Sequence, residues 1–180
     1  MGGSMSSIVV SGDTSGAVTL AVPAVAGTNT VTIAAQTGTL NAAGPAFSAY
    51  QSTSQTGTSG VATKVTLDVE AFDTNNNFAS SRFTPTVAGY YQINGKARLN
   101  GTGLTDSTVS IFKNGSQLII GTYTATGLAF SVVSTVVYLN GSTDYVELYA
   151  NGTTSVGSPS YQFIAVGNNC EMSGCLVRGA

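Results

Sequence analysis

The sequence predicts an all-β protein, a sandwich of about eight to ten strands. Its 180 residues include 25 Thr, 22 Gly and 15 Tyr and Phe, with no His and no Trp. β-Branched and aromatic side chains of this kind suit a pleated, half-buried surface. Apolar and polar residues alternate in many short runs, the period-2 pattern of strands with one buried face. Asn-Gly dipeptides punctuate these runs at 94–95, 100–101, 114–115, 140–141 and 151–152. Asn-Gly is the strongest short hairpin signal, because both residues accept positive φ. No window shows helical periodicity.

Two unequal parts follow one another. All the aromatics lie between Phe47 and Phe163, and residues 1–63 hold one charged side chain, Asp13. Residues 1–4 read as a tag scar ahead of Met5. Residues 5–44 form a β-rich stem, with strands expected at Ala17–Val22 and Thr30–Ile33, joined by 23–29. Two strands alone are marginal in water. Other copies of the same chain, or an attachment partner, are therefore expected to cover the stem; a flexible linker is the alternative.

From Pro45 the chain reads as one head domain, 45–180. Lys64–Glu70, Ser107–Phe112 and Asp144–Tyr149 alternate as strands. Phe130–Leu139 is longer and more apolar, as expected of a strand buried on both faces. All five Asn-Gly pairs are expected in turns. Asn100, Asn114, Asn140 and Asn151 also fit the glycosylation sequon, but turn chemistry explains the dipeptides unaided.

Charge is scarce: Asp, Glu, Lys and Arg make up 8% of the chain, with six cations against eight anions. Phosphate recognition needs clustered Lys and Arg, so no nucleic-acid partner is expected. No run approaches the ~20 apolar residues of a membrane span, and no membrane insertion or targeting signal is expected. Catalysis through His is excluded.

No catalytic residues emerge. Asp68 and Glu70, two apart on one expected strand, face the same side, whereas a glycosidase pair normally comes from different strands. Asp73-Thr74-Asn75-Asn76-Asn77 offers oxygens that suit calcium, which makes Asp73 the one candidate metal ligand; the same run also reads as an Asx-rich turn. Cys170 and Cys175, on one expected strand, lie ~16 Å apart, beyond disulfide reach. No cofactor is expected, and the chain is read as a non-enzyme.

Several segments, in order, resemble the globular head of the complement first-component q family, a relative of the tumour necrosis factor jelly rolls. They are Pro45–Tyr50, Asn77-Phe78, Arg82–Tyr91, Val109–Gly115, Leu139–Gly141 with Asp144–Val146, then Phe163 and Ser173–Leu176. Cys175 stands where the family has an aromatic. The resemblance implies a jelly roll and a homotrimer, and some members bind calcium near the trimer axis. Gly16–Leu20, Val25–Ile33 and Thr37–Leu40 resemble a segment of tailed-bacteriophage structural proteins that precedes a variable terminal domain.

Jelly-roll topology puts alternate loops at one end. With 161–178 as a final strand running to the base, the loops 151–160, 124–128 and 100–105 share the tip, joined by 51–60. The Asn-Gly turns at 114 and 140 then fall at the base. Small polar residues with occasional Tyr suit glycans or flat protein surfaces. The candidate ligand-binding residues are Asn100, Thr102, Tyr123, Thr126, Asn151, Thr153, Ser158 and Tyr161. The combined expectation is a bacteriophage virion protein, a fibre or appendage assembled in the host cytoplasm. Its stem contacts other virion proteins and its trimeric head binds a host-surface ligand, a glycan first and a protein second. The alternatives are a capsid decoration or head-fibre protein, and a bacterial spore-surface or secreted adhesion protein. The last usually carries a collagen-like stem, and none is present.

Overall fold

The computed structural model describes residues 7–11, 17–21, 44–125, 129–155 and 160–180. The chain divides into two units, Met1–Gly38 and Thr39–Ala180. In the first, β1 (Ser7–Ser11) and β2 (Ala17–Ala21) pair antiparallel, with Ile8 opposite Leu20 and Val10 opposite Val18. β1 was not expected as a strand. The strand expected at Thr30–Ile33 lies outside the described residues.

The second unit contains, in order, β3 (Ala46–Tyr50), β4 (Gln55–Thr58), β5 (Thr63–Lys64), β6 (Val69–Asp73), β7 (Phe78–Ala79), β8 (Arg82–Phe83), β9 (Ala88–Asn100) and β10 (Leu104–Lys113). β11 (Ser116–Ala125), β12 (Ala129–Asn140), β13 (Val146–Thr154), β14 (Ser160–Phe163) and β15 (Glu171–Gly179) complete it. There is no helix among the described residues. The strands form two antiparallel sheets. One runs β11-β10-β13-β8-β7, with β5 also on β13; the other runs β4-β14-β9-β15-β3-β6, with β12 on the far side of β9.

Several segments differ from the pattern read in the sequence. Lys64–Glu70 is not one strand. β5 pairs with β13 in one sheet, β6 pairs with β3 in the other, and the chain crosses between them at 65–68. Val65 and Leu67 are buried in this crossing, so the alternation records core burial, not a ladder. Asp68 is therefore not on a strand beside Glu70; its carboxylate receives Ser52 N at 2.7 Å and Ser52 Oγ at 2.5 Å. These bonds hold its carboxyl below the usual value.

The expected final strand at 161–178 is two collinear pieces. β14 pairs with β9 at 99–100, and β15 pairs with β9 at 89–96. The excursion at 164–170 tucks Cys170 into the interior, where burial raises its thiol pKa, while Cys175 is exposed on β15.

The Asn-Gly pairs divide into three kinds. Asn114 and Gly115 have φ of 52° and 77°, and link Lys113 to Ser116. This is the left-handed pair of a two-residue hairpin. Asn100-Gly101 and Asn140-Gly141 close strands into longer loops. Asn94-Gly95 and Asn151-Gly152 are inside β9 and β13, against the turn expectation. The reason is space: a Cβ at Gly95 would collide with Leu148, and one at Gly152 would stand 2.9 Å from Leu104 Cδ1. Placing a Cβ at Gly115, by contrast, strains only the backbone. Gly115→Ala is expected to cost about 1 kcal/mol, read as a fall in thermal midpoint.

The core lies between the sheets. Phe47 stacks on Phe83 and Phe78 with centroids 4.2 and 5.2 Å apart, and Phe83 meets Tyr91 edge-on at 5.5 Å. Tyr91 is fully buried with its hydroxyl on Val87 O, and burial pushes its pKa up to about 12. One side of the sandwich closes where β11 meets β12. Val132 N donates to Thr122 Oγ1 at 2.8 Å, Thr122 Oγ1 donates to Val132 O, and Thr124 Oγ1 donates to Phe130 O. A Cβ at Gly121 would collide with Val132 O.

Candidate ligand-binding tip and the open sheet face

Tight loops at one end of the sandwich are tied by backbone contacts. Ser155 N donates to Gly103 O at 2.7 Å, and Gly60 N donates to Gly152 O at 2.9 Å. Thr154 N donates to Ser59 Oγ at 3.0 Å. These bonds draw 59–60, 101–103 and 152–155 together. Beside them lies a depression of about 410 Å³, lined by Asn100, Gly101, Thr102, Ser160, Tyr161 and Gln162. Gly101 permits it, since a Cβ there would stand 3.3 Å from the Tyr161 backbone. No charged side chain lines it, so it offers amide and hydroxyl hydrogen bonding.

The sequence-derived candidates scatter over this end. Asn100 and Thr102 line the depression and are exposed. Tyr161 borders it by its backbone only. Its ring is 1% exposed, and its hydroxyl donates toward Ala150 O and Val61 O, both at 3.1 Å. That corrects the expectation of a Tyr at the tip margin: Tyr161 alternates inward between Ser160 and Gln162 and belongs to the core. Burial raises its pKa.

Tyr123 sits on β11 opposite Thr108, which in turn faces Asn151 on β13. Tyr123, Asn151 and Thr153 therefore lie on strands of the six-stranded sheet, not in tip loops. Asn151 Oδ1 is buried without a hydrogen-bond partner among the described residues. Thr126 and Ser158 lie outside the described residues. Gly101, Ser160 and Gln162 are the lining residues the sequence reading missed; the alternation Ser160-Tyr161-Gln162-Phe163 points to Gln162, which stands opposite Asn100.

Asp73 ends β6. Its Oδ1 receives Asn75 N at 3.2 Å and its Oδ2 receives Phe78 N at 2.6 Å. Both oxygens thus hold the turn that leads into β7. Among the described residues, no three His, Cys, Asp or Glu side chains gather as a metal site would require.

The outward surface of the seven-stranded sheet is unusual. Along β12, Ser131, Val133, Val137 and Leu139 turn inward. Phe130, Val132, Val136 and Tyr138 turn outward and are 51, 49, 55 and 42% exposed. Tyr90, Phe72 and Val177 extend the same exposed face. This overturns the expectation that β12 is buried on both sides, at least within one chain. A polar ladder crosses the middle of the face: Gln92 Nε2 donates to Ser134 Oγ at 2.8 Å, and Ser134 Oγ donates to Asn94 Oδ1 at 2.9 Å. Lys96 and Glu171 pair at 2.8 Å beside it.

The opposite sheet buries a carboxylate on its outer surface. Glu147 Oε1 accepts Lys64 Nζ at 2.7 Å and Arg82 Nε at 2.9 Å. The Arg82 guanidinium lies 3.8 Å over the Tyr145 ring. Lys64 belongs to β5 and Arg82 to β8, so one acid pins both short strands to β13.

No family model and no curated protein matches the chain. Solved structures do share its fold. The globular domain of zebrafish complement 1qA protein aligns with a TM-score of 0.56 at 18% identity, over 76% of this chain and 99% of that one. Murine APRIL at pH 5.0 gives 0.54 at 8% identity, over 75% and 100%. The Eiger TNF from S. frugiperda gives 0.53 at 6% identity, over 76% and 93%. These likenesses show a jelly roll of the complement C1q and tumour necrosis factor type.

Proposed function

We propose that the chain is a trimeric, non-enzymatic binding protein of a bacteriophage particle, with residues 5–44 as its attachment arm and the jelly-roll head as its receptor-binding part. One observation carries the assembly: the outward row of β12. A single chain leaves Phe130 and Val132 on one side of Ser134, and Val136 and Tyr138 on the other, in water, and exposed apolar patches of this kind mark an interaction surface. Second and third copies of the head supply the missing cover. The arm is too short a β structure to stand alone, so it takes its stability from other virion proteins.

The ligand is a neutral glycan of the host surface, held at the tip by Asn100, Thr102 and Gln162. Amide and hydroxyl groups around an uncharged depression match sugar hydroxyls. A single shallow site of this kind binds weakly, and three on one rigid trimer bind firmly by avidity. Thr102→Trp fills the depression without touching the core. It is expected to abolish binding of the fluorescent trimer to host cells and to neutral-glycan arrays, while the native mass stays unchanged. Full binding by that variant would remove the tip from the reading. Host-cell binding by neither protein would favour a role on the particle itself.

A further inference from the structure

We infer that Asn100 is a self-modification site: of the five Asn-Gly pairs, it is the one whose amide the fold leaves free to be expelled by the next backbone nitrogen. The reaction needs only water. Gly101 N attacks Asn100 Cγ and gives up its proton, and the side-chain nitrogen departs as ammonia, which closes a succinimide ring. Water then opens the ring at either carbonyl, leaving aspartate or isoaspartate. Asn-Gly suits this chemistry, because glycine has no Cβ to block the approach and its backbone turns freely.

The other four pairs are held in two ways. Two are anchored by the side chain. Asn114 Nδ2 donates to Asp144 Oδ1 at 2.8 Å, and Asn114 Oδ1 accepts Tyr145 N at 3.0 Å. Asn140 Oδ1 accepts the backbone N–H groups of Ser142, Thr143 and Asp144, and its Nδ2 donates to Thr143 Oγ1 at 2.9 Å. Either amide must break these bonds before it can swing over its own backbone. Two more pairs are inside ladders, where the side chain stands out of the pleat, away from the next backbone nitrogen. Gly95 faces Val133 on one side and Met172 on the other, and Asn94 Oδ1 accepts Ser134 Oγ. Gly152 faces Ser107 and lies close against Leu104 and Tyr161.

Asn100 has neither restraint. It is the last residue of β9 and is exposed. Its side chain makes no hydrogen bond among the described residues. Residues 101–103 leave the sheet in a tight turn, with Gly103 at a φ of 69° and Leu104 N donating to Gly101 O at 3.2 Å.

The consequence falls on the tip. Asn100 lines a depression with no charged side chain around it. Conversion replaces an amide that donates and accepts by a carboxylate that only accepts. It adds one negative charge to a chain whose net charge is −2. The neutral tip thus turns acidic with age, and the change does not reverse. An effect on ligand binding rests on the tip reading above; the modification itself does not.

The test incubates the purified 180-residue chain at mildly alkaline pH, folded and in urea. Peptide mapping by mass spectrometry then follows the exchange of amide for acid at each of the five pairs. In the folded chain Asn100 is expected to convert about tenfold faster than any of the other four, since breaking two hydrogen bonds first slows a step by roughly that factor. In urea the five are expected to convert at similar rates. Asn100→Gln is expected to suppress the acidic band that the ageing wild type develops on isoelectric focusing, because the longer side chain closes the ring poorly. A folded chain in which Asn114 or Asn140 keeps pace with Asn100 overturns the inference. So does an equal lead of Asn100 in urea, which would assign the selectivity to sequence neighbours and not to the fold, and so does an acidic band that persists in Asn100→Gln. A protein that converts at Asn100 as expected, yet whose Thr102→Trp variant binds in full, keeps the modification site and loses the tip as ligand site.

Discussion

Tyr161→Ala is expected to destabilise the head by about 3–5 kcal/mol, the range for truncating a buried aromatic. Its ring lies against Gly57, so closely that a Cβ there would collide with it, and also touches Gly152 and Phe163. Its single hydroxyl proton is shared between the carbonyls of Ala150 and Val61, both 3.1 Å away, and alanine removes that donor. Tyr161→Phe keeps the ring and loses only these bonds, at about 1–2 kcal/mol. Urea denaturation of the two variants separates packing from hydrogen bonding. The same pair tests the role of the residue. Tyr161→Phe should bind ligand as the wild type does, because its ring never faces the tip surface. Loss of binding in a folded Tyr161→Phe protein would return the hydroxyl to the site.

Glu147→Ala is expected to cost about 2–3 kcal/mol, somewhat less than the ~3–5 of a fully buried pair broken on one side. The carboxylate is 4% exposed, but Lys64 and Arg82 are 30% and 42% exposed and recover part of their hydration when the acid is removed. Replacing Lys96 or Glu171, both more open, should change a single chain by under ~1 kcal/mol.

Burial disfavours the charged form of Glu147, yet Lys64 and Arg82 outweigh it and hold the carboxyl below its ordinary 4.5. Asn114 and Lys113 do the same for Asp144, from 3.8. A carboxyl lowered by folding contributes its full stability above its unfolded pKa and loses it as pH falls through the folded one. Stability should therefore be level above about pH 4.5 and decline below it. In Glu147→Ala the decline should be shallower; an identical acid limb in both proteins would contradict this assignment.

Much of the head was readable before any coordinates, and the failures share a physical cause. Period-2 alternation in Ser107–Phe112 and Asp144–Tyr149 marked β10 and β13 because each has one face on the core. The same alternation in Lys64–Glu70 misled. Val65 and Leu67 enter the core from a crossing segment, and burial leaves the same imprint there as in a ladder. Asn94-Gly95 looked like a turn, because composition cannot distinguish a glycine chosen for positive φ from one chosen for lack of a Cβ beside Leu148.

The tip was only partly readable. Asn100 and Thr102 follow from loop polarity. Tyr161 needs its neighbours, Gly57 and Gly152, to be recognised as core. Phe130–Leu139 is the instructive case. Its composition is that of a strand with two apolar surroundings, and one chain provides only one of them. The sequence of β12 thus carries information about the assembly as well as about the fold.

That claim is tested most directly by sedimentation equilibrium of the purified 180-residue chain at neutral pH. A single species at three times 18.1 kDa is the predicted result. A single species at 18.1 kDa across the accessible concentration range would contradict it, leaving the outward row of β12 exposed in solution and the avidity mechanism without a basis.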